Sequence, residues 1–215
     1  MSPIARGGAS ADGGLYLWIV DLAQRAPSWA DSLISAWSTY GLALFGLLMA
    51  AAWWRARARA GARAQARASV ERQRAVLALM APLFVVTAFL VDTGIKSLIR
   101  EQRPCQSLHA LTLEACPPLG DWSFPSNHAA IAAAAATTLW FTDRRLAALA
   151  VPAAFLMAVS RVWVGVHYPH DVLVGLAAGA VVAWFLVLMA GRVLRRGPRA
   201  PEYEGSAAPL AGKQG

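Results

Sequence analysis

The chain has 215 residues, 57% of them hydrophobic and only 15% charged, with a formal net charge of +8. A soluble domain of this size carries roughly 25% charged residues, so the composition excludes an ordinary soluble core and points to one integral membrane domain. The cations cluster just outside the apolar runs, where they orient membrane spans. No nucleic-acid motif accompanies them, and nucleic acid is excluded as a partner.

Residues 1–14 are small, polar and Gly-rich and read as a mobile N-terminus. They do not read as a signal peptide, because the apolar run that follows is short and lacks a cleavage site. Leu15 to Leu22 is apolar but too short to span, and Pro27 breaks it. It predicts an interfacial helix with Trp18 and Trp29 at headgroup depth, the alternative being a short sixth span.

Leu33 to Trp54 predicts the first span, closed by Trp53 and Trp54 as an aromatic belt. Arg55 to Arg74 alternates Ala and Arg and reads as a solvated helical connection on the cytoplasmic side. Ala75 to Ile99 is the second span and carries Asp92 and Lys96 on one helical face. Charges at that depth face protein or water and suggest function. Asp92 is expected to pair with Lys96 and orient it.

The segment from Arg100 to Trp122 is then an outer loop, in which Arg100 and Glu101 either line the entrance or are solvated. Pro125 to Phe141 is the third span, nearly all small residues from Ala129 to Ala136. Leu146 to Val164 is the fourth. Val172 to Leu194 is the fifth, with Gly175 and Gly179 spaced for tight packing. All three inner segments are Arg-rich, which agrees with this topology. Residues 15–197 therefore read as one membrane domain, and 198–215 as a disordered cytoplasmic tail.

The same topology gathers three polar clusters on the outer side. They are Lys96 to Arg103-Pro104, then Pro125-Ser126-Asn127-His128, then Ser160-Arg161 through His167 to Asp171. Arg161 is a fixed cation with a planar fork suited to phosphate oxygens. His167 is a candidate nucleophile or proton carrier. Asp171, four residues on, can hold the imidazole in one tautomer. His109 and His170 read as surface groups, with His170 close enough to reach a substrate. Four histidines without a carboxylate or thiolate cluster predict no metal site.

Cys105 and Cys116 both fall in the outer loop, where oxidation is permitted. The expectation is a disulfide that pins the loop carrying Arg103, the alternative being two free thiols.

Three such motifs in this order resemble the tripartite signature of the type 2 phosphatidic acid phosphatase superfamily, over roughly Leu33 to Leu194. The resemblance implies an all-α polytopic transmembrane bundle with the catalytic core shared by vanadium-dependent haloperoxidases. It implies a membrane lipid phosphate as substrate, no cofactor and no metal. Lys96, Arg103 and Arg161 would clamp the phosphoryl oxygens, aided by Ser126 and Asn127 at a helix N-terminus. By the same resemblance, His167 attacks phosphorus, Asp171 orients it, and His128 protonates the leaving oxygen. Asn127 stands where the superfamily has Gly. Asn tolerates left-handed backbone, so the turn is expected to survive.

The compact plan is similar to undecaprenyl-diphosphate phosphatases acting on the extracytoplasmic face of the cell membrane. Phosphatidylglycerophosphate, phosphatidate and prenyl-phosphoryl-sugar phosphatases are the alternatives. A haloperoxidase, and a non-catalytic scaffold or lipid transporter, remain as readings of other classes. The sequence leaves the oligomeric state open.

Overall fold

In the computed structural model, residues 12–62 and 65–196 are described. The tail expected at 198–215 and most of the expected N-terminal segment lie outside them. The described residues form eight helices and no strand. They are α1 (Gly13–Gln24), α2 (Ser28–Tyr40), α3 (Leu42–Ala62), α4 (Gln65–Ile99), α5 (Pro104–Ser107), α6 (Asn127–Thr142), α7 (Arg144–Trp163) and α8 (Pro169–Arg196).

Three helices, α4, α7 and α8, are long and apolar enough to cross a bilayer, and a bent pair, α2 with α3, makes up to four. The expected single first span is thus two helices meeting at 53°. The break is at Gly41, whose N–H bonds the Trp37 carbonyl at 2.7 Å and closes α2. The alternating Ala and Arg residues extend α3 and α4 rather than forming a purely solvated connection. Arg55 and Arg59 lie 3.2 and 3.1 Å from the Asp143 carboxylate. Asp143 also caps α7, accepting from the amides of Arg145 and Leu146.

Helix α1 has 12 residues, about 18 Å of helix, too short to cross a ~30 Å hydrocarbon core. Its buried side chains, Tyr16, Val20 and Ala23, recur every three or four residues and so share one face. Leu15, Leu17, Trp18 and Leu22 are exposed on the other. Asp12, counted in the mobile N-terminus, is instead held by the backbone N–H of His170 at 2.7 Å.

The 16-residue α6 is the central element, with ten buried residues, seven of them alanines. Alanines at these positions let α8 approach closely. A Cβ on Gly175 would stand 2.6 Å from the Ser126 carbonyl oxygen, and one on Gly179 only 2.1 Å from that of Ala130. No side chain fits at either position. This contact sets the N-termini of α6 and α8 side by side, at the end of the bundle where α4 and α7 finish.

Gly179→Ala should therefore lower stability by about 1–3 kcal/mol. Gly46→Ala, in α3 with nothing within 4 Å of its Cβ position, should cause no loss. Thermal unfolding in detergent measures both. An unaltered Gly179→Ala melting temperature contradicts the packing argument.

Candidate active site

The ends of α4, α6, α7 and α8 converge on one polar cluster. Lys96 lies near the C-terminus of α4 and Arg103 just before α5. Ser126 and His128 open α6, and Arg161 sits in the last turn of α7. His167 occupies the α7–α8 turn, and Asp171 the first turn of α8. Lys96, Arg103, Ser126, Arg161, His167 and Asp171 are all buried. All eight predicted catalytic and phosphate-binding residues, Asn127 included, lie at this end of the bundle.

Asp171 Oδ2 organises the centre. It faces His167 Nδ1 at 3.3 Å and accepts the Tyr168 amide at 2.8 Å. The Ser123 hydroxyl donates to the same oxygen. With Nδ1 turned to the carboxylate, His167 Nε2 faces Arg103 Nη1 at 3.3 Å. Burial pushes the His167 imidazole down to about 3, with Asp171 pulling it up and Arg103 and Lys96 pressing it down. The ring is therefore neutral near pH 7, with a lone pair on Nε2: the form a nucleophile needs.

Each cation of the cluster is in contact with oxygen. Lys96 Nζ donates to the Trp122 carbonyl at 3.0 Å. Arg103 donates to the Val166 carbonyl, to the Asp121 carbonyl and to Asp121 Oδ1, each at 2.9 Å. Arg161 Nη1 donates to the Ser38 hydroxyl and lies 3.1 Å from Glu114 Oε2. His128 lies within electrostatic reach of Arg161, Lys96 and Arg103.

Several buried polar atoms have no hydrogen-bond partner: Ser126 Oγ, Asn127 Oδ1 and Arg161 Nε. A buried donor without a partner is costly. The Ser126 case is informative, because a Ser at an N-cap ordinarily accepts from the first-turn amides. Here it makes no capping bond. Ser126 Oγ and Arg161 Nε are thus two donors left unused at this end of the bundle.

Four expectations need correction. The Ser126 N–H, expected at a helix N-terminus to aid the clamp, is already taken: it donates to the Asp171 carbonyl at 3.1 Å, because α8 packs so closely on α6. Asn127 needs no left-handed backbone, since it begins α6, and the non-Gly residues of positive φ among those described are Arg100 and His109. Asp92 lies within electrostatic reach of Lys96 but makes no hydrogen bond to it: it is buried and neither carboxylate oxygen has a hydrogen-bond partner.

His170 is not a surface group. Its Nδ1 is 2.9 Å from Asp12 Oδ1, and its Nε2 is 3.2 Å from Glu101 Oε1 and 3.3 Å from Asp171 Oδ1. The ligand atoms of Glu101, His170 and Asp171 lie within 4.8 Å of one another, so a carboxylate cluster does surround one histidine. Both ring nitrogens face carboxylates, which makes His170 a cross-link between α8, the stretch before α1 and the loop after α4.

Cys105 and Cys116 are joined in a disulfide with a Cα separation of 6.0 Å. Ser123, Glu114, Asp121, Tyr16 and Ser38 join the cluster without any motif to mark them in the sequence. Tyr16 donates its hydroxyl to the Gly165 carbonyl at 2.8 Å and so braces the His167 turn from α1. No spacing rule links residues 149 positions apart. Away from the cluster, an apolar groove of about 410 Å³ runs between α6, α7 and α8, lined among others by Ala133, Trp140, Phe155, Leu176 and Trp184. Ala133 is five residues past His128, about 7.5 Å along the helix.

Fold and cluster together define a helical membrane protein with a buried cluster of cations and histidines at one end of the bundle. The chain belongs to the PAP2 superfamily, whose sequence profile matches residues 74–195. It is 40% identical over 114 residues to a decaprenylphosphoryl-5-phosphoribose phosphatase of Mycobacterium tuberculosis, covering 52% of this chain and 59% of that protein. It is 28% identical over 167 residues to undecaprenyl-diphosphatase BcrC of Bacillus subtilis, covering 77% of each. Its fold is similar to the crystal structure of a transmembrane PAP2-type phosphatidylglycerolphosphate phosphatase from Bacillus subtilis. There the TM-score is 0.58 at 20% identity, over 91% of this chain and 94% of that one.

The His167 environment has a consequence for acid stability. The ring titrates near 6.5 when unfolded and near 3 when folded. Between those values the unfolded chain binds a proton that the folded chain refuses. Stability therefore falls as pH drops through that window, by at most about 1.4 kcal/mol per unit. His167→Asn removes this contribution, so its melting temperature should fall less steeply with acid. A slope equal to wild type contradicts a buried neutral imidazole.

Proposed function

We propose that the protein is an integral membrane lipid phosphatase acting on a polyprenyl diphosphate or related lipid phosphate at the extracytoplasmic face. The observation that carries this reading is the His167 ring, fixed by Asp171 on Nδ1 and directed by Nε2 toward the cations. Superfamily membership supports the reaction class. The Arg-rich segments at the opposite end of the bundle support the orientation. The apolar groove beginning about 7.5 Å from His128 along α6 is suited to an isoprenoid or acyl chain.

The chemistry is positioning plus charge stabilisation. The substrate's terminal phosphoryl group takes its oxygens to Lys96, Arg103, Arg161 and Ser126 Oγ. His167 Nε2 attacks phosphorus in line with the leaving oxygen. A P–N bond forms, the P–O bond breaks, and His128, protonated once the bound phosphoryl charge offsets the neighbouring cations, gives its proton to the departing oxygen. The imidazole ring now carries positive charge, which Asp171 stabilises. His128 then takes a proton from water as its oxygen attacks phosphorus, releasing inorganic phosphate and neutral His167. The cations supply the charge stabilisation that a metal ion provides elsewhere.

The 40% identity to a phosphatase named for decaprenylphosphoryl-5-phosphoribose favours a second reading, a prenyl-phosphoryl-sugar phosphatase with the same residues. Phosphate release from a panel of prenyl diphosphates, prenyl-phosphoryl sugar phosphates, phosphatidylglycerophosphate and phosphatidate separates the two. Turnover should persist in EDTA. His128→Ala should lower kcat by about 10²–10⁴-fold, and His167→Ala should remove turnover. Full turnover in His167→Ala, or loss in EDTA restored by a divalent ion, contradicts the mechanism.

A further inference from the structure

The three cations of the cluster share one unexpected neighbour. Lys96 bonds the carbonyl of Trp122. Arg103 bonds the carbonyl and carboxylate of Asp121, and Arg161 the carboxylate of Glu114. All of these oxygens belong to the loop between α5 and α6, and two are carboxylate oxygens. They occupy donors that a phosphoryl group must use.

The loop is seated deliberately. The amides of Leu113 and Glu114 donate to the Val164 carbonyl at 3.2 and 3.4 Å, against the turn that carries His167. Gly165 in that turn has φ +89, and a Cβ there would meet Thr112 at 2.5 Å. Only glycine allows both that backbone and that approach. The Cys105–Cys116 disulfide closes the loop two residues beyond Glu114, and Gln106 Nε2 bonds the Pro117 carbonyl at 2.8 Å. The carboxylates themselves are reachable from outside. The Glu114 side chain is 24% exposed and that of Asp121 47%.

We propose that this loop is a carboxylate strap whose Glu114 and Asp121 make the site selective for a terminal phosphomonoester or diphosphate over phosphodiester lipids. The proposal rests on the phosphatase reading above and names the basis of its selectivity. A site at headgroup depth faces a large excess of phosphodiester headgroups, each a single negative charge. An anion that enters must displace carboxylates from Arg161 and Arg103. A terminal phosphate carries about −1.5 to −2 charge and three free oxygens, enough to replace both. A diester offers one charge and two free oxygens, and leaves a cation or a carboxylate unpaired. Selectivity thus comes from an internal competitor that a weak ligand cannot outbid. The apparent affinity for every anion is reduced by the fraction of sites in which the strap is lifted.

Inorganic phosphate and dimethyl phosphate test this without turnover. Thermal stabilisation in detergent is read for wild type, Glu114→Gln and Asp121→Asn. Wild type should be stabilised by phosphate and not by dimethyl phosphate at equal concentration. Either variant should respond to both, with half-saturating phosphate lower by about fivefold or more. In the turnover assay, phosphatidylglycerol in mixed micelles should inhibit the variants and spare the wild type. Asp121→Asn carries the test if Glu114→Gln does not fold. Variants that keep the wild-type preference, or bind phosphate more weakly, overturn the strap. Absence of lipid phosphate turnover with the phosphate response intact overturns the phosphatase reading instead.

Discussion

The closeness of α8 to α6 is the constraint on which the site depends. Where Gly179 passes Ala130 the two backbones leave no room for a Cβ. That approach lets the Ser126 amide reach the Asp171 carbonyl at 3.1 Å. Helix starts that elsewhere point to solvent are here locked to each other. The lock fixes His128, one residue into α6, relative to Asp171, in the first turn of α8. Asp171 in turn fixes His167 through one carboxylate oxygen shared with Ser123 and the Tyr168 amide. A dispersion contact between small residues thereby sets the register of His128, His167 and Asp171.

Charge follows from that geometry. Lys96, Arg103 and Arg161 are brought together where water is scarce, and fixed positive groups repel one another more strongly there than in solution. They coexist because each has an oxygen within bonding distance. Part of that compensation is permanent, such as the Val166 carbonyl on Arg103. Part comes from the solvent-accessible carboxylates of Glu114 and Asp121, which are 24% and 47% exposed, and is exchangeable. The distinction separates groups that build the site from groups that a ligand replaces.

Much of this was legible in the chain. The three motifs name the cationic and imidazole residues, the positions of Gly175 and Gly179 announce the close helix pair, and two cysteines in one loop announce the disulfide. The bend at Gly41 was not legible, because 22 apolar and small residues from Leu33 to Trp54 read as one helix whether straight or broken. Nor was the role of α1, whose Tyr16 reaches Gly165 across 149 positions. Glu114, Asp121 and Ser123 lie in a loop without periodicity, and nothing local marks a loop carboxylate as a partner for an arginine far along the chain. His170 and Asp92 failed for the same reason in opposite directions. One lies in a cage of carboxylates from three segments, and the other makes no hydrogen bond to the lysine that its four-residue spacing suggested.

In the proposed reaction, His167 Nε2 forms a transient bond to phosphorus. The most direct measurement is rapid quenching of the protein with a lipid phosphate labelled with ³²P at its terminal phosphoryl group, followed by peptide mapping. Label is expected on the peptide containing His167, stable in base and lost in acid as a phosphoramidate is, and absent in His167→Asn. Label on another residue, or rapid single-turnover release of phosphate by His167→Asn, contradicts it.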